Sequence, residues 1–421
     1  MATLEGISGL LLRLHAQKQF PMLVRSISSA TLQRKYVRDK GQVLWHTRNK
    51  TLKNSPIFIQ NELKEFYSIT SQISDNQNKN YSKLVKELSF QVPSFGGSVW
   101  ANSPIDVTVK SADPCHHQNL DKAFVRQLSC ANVDSYPAKF SVTQEGPKLD
   151  VQCNIDKDTK TSDYKLEVEV PIIHNVKVSA LQNASVDVHD FIESNYVHII
   201  ADKGQVRTQK IKTEDLTINT ISGDVICQGS LQGNIKISSS NGNIISGKSF
   251  LGPNLELETE EGDIRVSSSY SDQAKFSTNR GSMNLRNIHN ESYVAVYDKG
   301  DVKMMGVDGS TNVFVKSGYL DVHISRIRHE SRIHIEQGDI HLKLSDTYPL
   351  KLSIDANDIV ADEKFSEHAK IEKRQNSESV HLFAAIEPNQ FSPTLIVVAE
   401  NGSVVLETQD WATSFGFGLR S

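Results

Sequence analysis

The sequence predicts an all-β protein: a single-stack β-solenoid with a period of about 19 residues and two short strands per coil, preceded by a β-rich N-terminal cap. Three observations predict it. A glycine phrase returns at a fixed spacing, the residues around it alternate apolar and polar, and large rings are scarce, with aromatics only 7% against 38% hydrophobic residues. A narrow stacked core takes Ile, Val and Leu in preference to rings, so this composition suits it.

The phrase runs Gly204, Gly223, Gly242, Gly262, Gly281, Gly300, Gly318, Gly338, then Asn357, and closes at Gly402. Successive differences up to Asn357 are 19, 19, 20, 19, 19, 18, 20 and 19. With the glycine as zero, position +2 is apolar throughout (Val206, Val225, Ile244, Ile264, Met283, Val302) and position +4 follows it (Cys227, Val266, Leu285, Met304). Position +3 between them is mixed, which is the period-2 signature of a half-buried strand. A second strand precedes each glycine, with Ile199, Ile218, Ile237, Leu257 and Phe276 at −5. One such unit cannot bury its apolar face, but stacked units can. The glycine reads as the corner residue, where a positive φ suits Gly and Asn, and the Asp or Asn after it reads as a cap of local turn amides.

The lead-in Val168-Glu169-Val170-Pro171, followed by Ser222-Gly223-Asp224-Val225 and Glu261-Gly262-Asp263-Ile264, resembles the "putative-adhesin" β-solenoid repeat family. The resemblance covers residues 138–407 and extends to an animal branch of uncharacterised members with mitochondrial-type N-termini. It implies a fold. The family's function is not established, and no catalytic residue carries over.

In chain order, residues 1–45 read as a mitochondrial transit peptide. Residues 1–50 hold nine Lys or Arg against Glu5 and Asp39, with Leu10, Leu11, Leu12 and Leu14 interspersed among the cations. The competing reading is a basic tail on a cytoplasmic protein. Residues 46–89 read as a polar linker and 90–170 as a β-rich cap that covers an open sheet edge. Residues 171–410 carry the repeats, with an insertion at 363–374, and 411–421 form a C-terminal tail containing Phe415 and Phe417. The formal charge of −4 argues against a nucleic-acid partner. No run approaches the ~18 apolar residues that span a membrane. Cys115, Cys130, Cys153 and Cys227 match no zinc or redox spacing.

Candidate chemistry is sparse. The Asp column (Asp224, Asp263, Asp301, Asp339, Asp358) has twice the period of a calcium β-roll, so turn capping is favoured over calcium. His323, His329, His334, His341 and Cys115-His116-His117 lack convergent spacing. Lys303, Asp321 and His341 stack at +3 without the carboxylate pair of a glycosidase. Counting back from Gly300 and Gly318 places Val294, Val296 and Phe314 at outward positions, an apolar patch that marks a contact site for a partner or for the chain's own tail. The sequence therefore points to a non-enzymatic scaffold or protein-interaction module. It implies no cofactor, no metal site, no integral membrane segment and a protein partner, and leaves the oligomeric state open. The alternative is a carbohydrate-active or carbohydrate-binding β-helix of the secreted, adhesin-like kind.

Overall fold

The computed structural model describes residues 81–113, 119–130, 138–155, 161–345, 348–375, 379–386 and 389–409, all within the unit Pro56–Ser421. The expected transit peptide, Cys115-His116-His117 and the 411–421 tail lie outside the described residues.

Alternation of inward aliphatic and outward polar residues bends the chain into coils that stack in parallel. In the regular part these are Val206–Ser222, Val225–Cys227 with Leu231–Asn241, Ile244–Glu261, Ile264–Arg280, Met283–Lys299 and Val302–Ser317. Val206 pairs with Val225, Val225 with Ile244, Ile244 with Ile264, Ile264 with Met283, and Met283 with Val302, so the +2 column is one continuous inward row. Ile199, Ile218, Ile237, Leu257 and Phe276 form the facing row and are fully buried. A third short ladder joins the two: Ile211, Leu231, Phe250, Ser269, Ile288 and Val307 are paired in turn and also point inward. Each such aliphatic contributes about 2 kcal/mol by leaving water.

The corner glycines have a different cause from the one expected. Gly223, Gly281, Gly318 and Gly338 do have positive φ (143, 150, 153 and 132°), but Gly204, Gly242, Gly262, Gly300 and Gly402 do not. What they share is close approach. A β-carbon on any of them would meet the carbonyl of the equivalent residue one coil earlier, at 2.4 Å for Gly223 on Gly204 and 1.9 Å for Gly300 on Gly281. The buried hydroxyls at −3 complete the corner: Thr259 Oγ1 donates to the Gly242 carbonyl (3.0 Å) and Thr278 Oγ1 to that of Gly262 (3.3 Å).

At both ends the order in space departs from the order in sequence. Phe95–Ser103 and Asp106–Ser111 form a coil lying between Ile173–Ala180 with Val186–Ala201 on one side and Lys148–Ile155 with Tyr164–Val170 on the other. Antiparallel strands then cover that outer layer: Ala138–Glu145, and Lys122–Ser129 followed by Lys83–Gln91. The outermost strands carry Lys83, Lys86, Glu87 and Lys139, charges that discourage edge pairing.

At the other end Thr394–Thr408 lies between Ser331–Gln337 with Ile340–Leu344 and Leu350–Ala361. Val380–Ile386 and Ala369–Gln375 add two antiparallel strands beyond Leu350–Ala361. The helix Glu363–His368 is capped by the Asp362 carboxylate, which accepts from the Phe365 amide (2.6 Å), and Phe365 joins the core. Residues 363–374, expected as an insertion, are this helix and most of the edge strand.

Asn357 needs correction for the same reason. In space Gly402 follows Gly338, 1.8 Å from its carbonyl by the same measure, and Asn357 belongs to the coil beyond. Ala356 pairs with Ala399 and Asp358 with Ser403, so one residue turns a corner that takes three in the neighbouring strand. That shortened corner makes no use of a glycine.

Candidate interaction face

The Asp column is a ladder between coils. Asp224 Oδ1 accepts the Asn243 amide (2.8 Å), Asn243 Oδ1 that of Asp263 (2.8 Å), Asp263 Oδ1 that of Ser282 (2.9 Å), and Asp301 Oδ1 that of Tyr319 (2.8 Å). The expectation of local turn capping is thus corrected in one respect: the amide bonded belongs to the next coil. Asp339 does the same for Ser403, taking both its amide and its hydroxyl, and those two donors hold its carboxyl below the usual range. Asp358 lies on the last coil, where its own Oδ1 accepts the Ile359 amide.

The histidines point to different places. His323 is buried, and burial with the nearby Lys343 charge lowers its pKa. His329 lines a corner cleft of about 320 Å³ with Asp272, Glu291 and Arg328. His334 Nε2 lies 3.0 Å from Glu400, and His341 Nε2 3.0 Å from Glu407. Lys303, Asp321 and His341 are in register on successive coils, and Asp321 is held by Lys343 at 2.8 Å. Among the described residues, no group of three or more His, Cys, Asp or Glu is placed to hold one metal ion. Cys130, Cys153 and Cys227 are free thiols. No helix among the described residues is long and apolar enough to cross a membrane.

Beside these columns, charges pair from coil to coil. Glu256 is bridged by Lys236 from one coil (2.7 Å) and Lys275 from the other (2.8 Å), and those two ammonium groups hold its carboxyl low.

One part of this same face is aromatic, and here the expected residues are corrected. Val294 and Val296 are fully buried. Val294 pairs with Phe276 and Val296 with Thr278, both inward residues. Counting from Gly300 put them outward because the coil hides a compensated shift. Ser269 pairs with Ile288, an offset of 19; Gln273 with Glu291, 18; Thr278 with Val296, 18; and Arg280 with Lys299, 19 again. One residue is lost at the corner and returned as a bulge at Tyr297-Asp298. A one-residue slip exchanges the two faces of a strand.

The residues turned outward are Tyr293 and Tyr297, 39% and 44% exposed. Phe314 is outward and half-buried, and it pairs with Ala295, which has no exposed surface. The Tyr297 ring centroid lies 6.4 Å from that of Phe314, and the His334 ring meets Phe314 edge-on at 5.6 Å. Burial and a hydrogen bond to Tyr293 raise the Tyr297 pKa. The sequence signal that could have found the tyrosines is their spacing from the inward valines, had the phase been taken from Val294 rather than from the glycine.

The model of the family described as Toastrack DUF4097 matches residues 104–268 and again 252–382. The chain belongs to the Toastrack DUF4097 family. The matches run from within the cap through most of the repeats, and the Tyr293–Phe314 cluster lies within the second match. Three crystal structures resemble this Toastrack chain. A "putative cell adhesion protein" from Clostridium sporogenes is 8% identical over 78% of this chain and 100% of its own, with a TM-score of 0.17. A "putative adhesin" from Bacteroides fragilis is 10% identical over 78% and 98%, with 0.23. A "putative lipid binding protein" from Parabacteroides distasonis is 10% identical over 76% and 96%, with 0.24.

Proposed function

We propose that this Toastrack chain is a non-enzymatic interaction scaffold whose contact surface for a protein partner is the face bearing Tyr293, Tyr297, Phe314 and His334. The observation that supports this reading is the contrast along one face. The ion pairs of Lys236, Glu256 and Lys275 satisfy one another across coils, whereas the aromatic cluster beside them keeps half-exposed rings. Exposed tyrosines on a rigid sheet offer large contact area at low conformational cost. We place the scaffold in mitochondria, on the basic, acid-poor composition of residues 1–45.

The test is proximity labelling by the tagged full-length chain, beside a chain lacking residues 1–45 and a chain carrying Tyr297→Ser with Phe314→Ser. Import that depends on 1–45, and a neighbour set lost in the double variant at unchanged melting, support the reading. Cytoplasmic residence of both chains ends the mitochondrial part. Neighbours that survive the double variant end the assignment of the face.

A further inference from the structure

The last strand in chain order among the described residues, Thr394–Thr408, fills a slot between two coils that the repeat itself would join directly. Ile333 and Leu352, Ile335 and Ile354, and Ile340 and Ile359 are each 19 residues apart, the offset of the regular stack. In the structure those pairs are separated. Ile335 meets Ala399 and Ile340 meets Val404, while Leu352 meets Leu395 and Ile359 meets Val404 from the other side. Two registers of Leu350–Ala361 can thus be set side by side, the one that the repeat spacing would give, closed onto Ser331–Leu344, and the one in the structure, with a strand between. The two differ before the corner by two residues, a slip that keeps the same side chains inward.

The inserted strand pairs with its neighbours in space and not with Val380–Ile386, which precedes it in sequence, and its side chains bond the same neighbours, Ser403 to Asp339, Glu400 to His334 and Glu407 to His341. It is joined to that strand by a short connection carrying Pro388 and Pro393. A short connection beside a strand whose partners all lie in other segments favours exchange between copies, because the same contacts re-form with an identical strand.

We propose that this slot is a strand-exchange site whose second occupant is Thr394–Thr408 of another copy of this chain, giving a reciprocal dimer. The proposal is independent of the aromatic face. In the exchanged state each copy contributes Leu395, Val397, Val404 and Leu406 to its partner's core.

The test uses two populations of full-length chain, one isotope-labelled. One carries His334→Cys and the other Val398→Cys, positions that are direct partners across the slot. After co-incubation and mild oxidation, mass spectrometry reads disulfide-linked peptides spanning 334 and 398. The expected result is a cross-link between labelled and unlabelled chains whose yield rises with chain concentration, together with a dimer by light scattering. The proposal is overturned if a single chain carrying both substitutions bonds internally while the mixture never cross-links and stays monomeric. A second measurement covers variants that fold poorly. A fluorescent peptide of residues 392–409 is incubated with the unmodified full-length chain; stable incorporation is expected, and its absence over the same period overturns the proposal.

Discussion

The carbonyl oxygen of Gly242 lies 2.1 Å from where a β-carbon on Gly262 would stand. No real β-carbon approaches an oxygen so closely, so any substitution pushes two coils apart. Gly262→Ala should destabilise the protein by about 2 kcal/mol, in the range of overpacked cores. Gly247→Ala is the control, since its nearest neighbour would be an ordinary 3.7 Å away. Chemical denaturation of both variants checks this. Equal midpoints would mean that the glycine ladder is not set by close packing.

The amide-capping ladder predicts a split between two small changes. Asp263→Asn keeps an acceptor for the Ser282 amide, as Asn243 already does one coil earlier, and should be nearly neutral. Asp263→Ala leaves that amide without its partner and should cost about 1 kcal/mol. Added calcium should leave the melting temperature of the unmodified chain where it is, because one oxygen of each Asp is held by a backbone amide and, among the described residues, no group of carboxylates converges on one point. A calcium-dependent rise would return the column to metal binding.

Acid stability should depend on His174. Its ring is buried against Gly97, and burial lowers its pKa to about 4. In the unfolded chain an ordinary imidazole takes up its proton near pH 6.5. Between those values the unfolded state binds more protons than the folded one, so stability falls as the pH drops from about 6.5 to about 4. His323 works in the same direction. His174→Leu should flatten part of that acid limb, measured as the difference in denaturation midpoint between pH 7 and pH 5. An undiminished difference would assign the acid limb to other groups.

Much of the fold was legible because it is periodic. The +2 row from Val206 to Val302 and the −5 row from Ile199 to Phe276 are inward as their alternation requires. Two features were illegible for separate physical reasons. The phase shift between Ser269 and Lys299 conserves the total step, so glycine spacing is blind to it, and Val294 and Val296 exchanged roles with Tyr293 and Tyr297. The order of the end coils rests on pairings such as Ser331 with Leu395. Nothing local to either segment encodes so distant a partner, while the regular step from Gly338 to Asn357 points to a nearer one.

That exchange of roles yields the sharpest test of the aromatic face. Val296 is fully buried, so Val296→Asp buries an unpaired carboxylate and should unfold the chain, at several kcal/mol. Phe314, one coil on and half-buried, is different. Phe314→Asp places its charge at the surface beside Tyr297 and His334, and should cost about 1–2 kcal/mol through lost ring burial. Far-UV dichroism and partner capture, measured on both variants, separate fold from face. Loss of both signals in Val296→Asp, with loss of capture alone in Phe314→Asp, fits a contact surface built on the outward rings. A well-folded Val296→Asp chain would instead restore the phase counted from Gly300 and move the contact surface back to the valines.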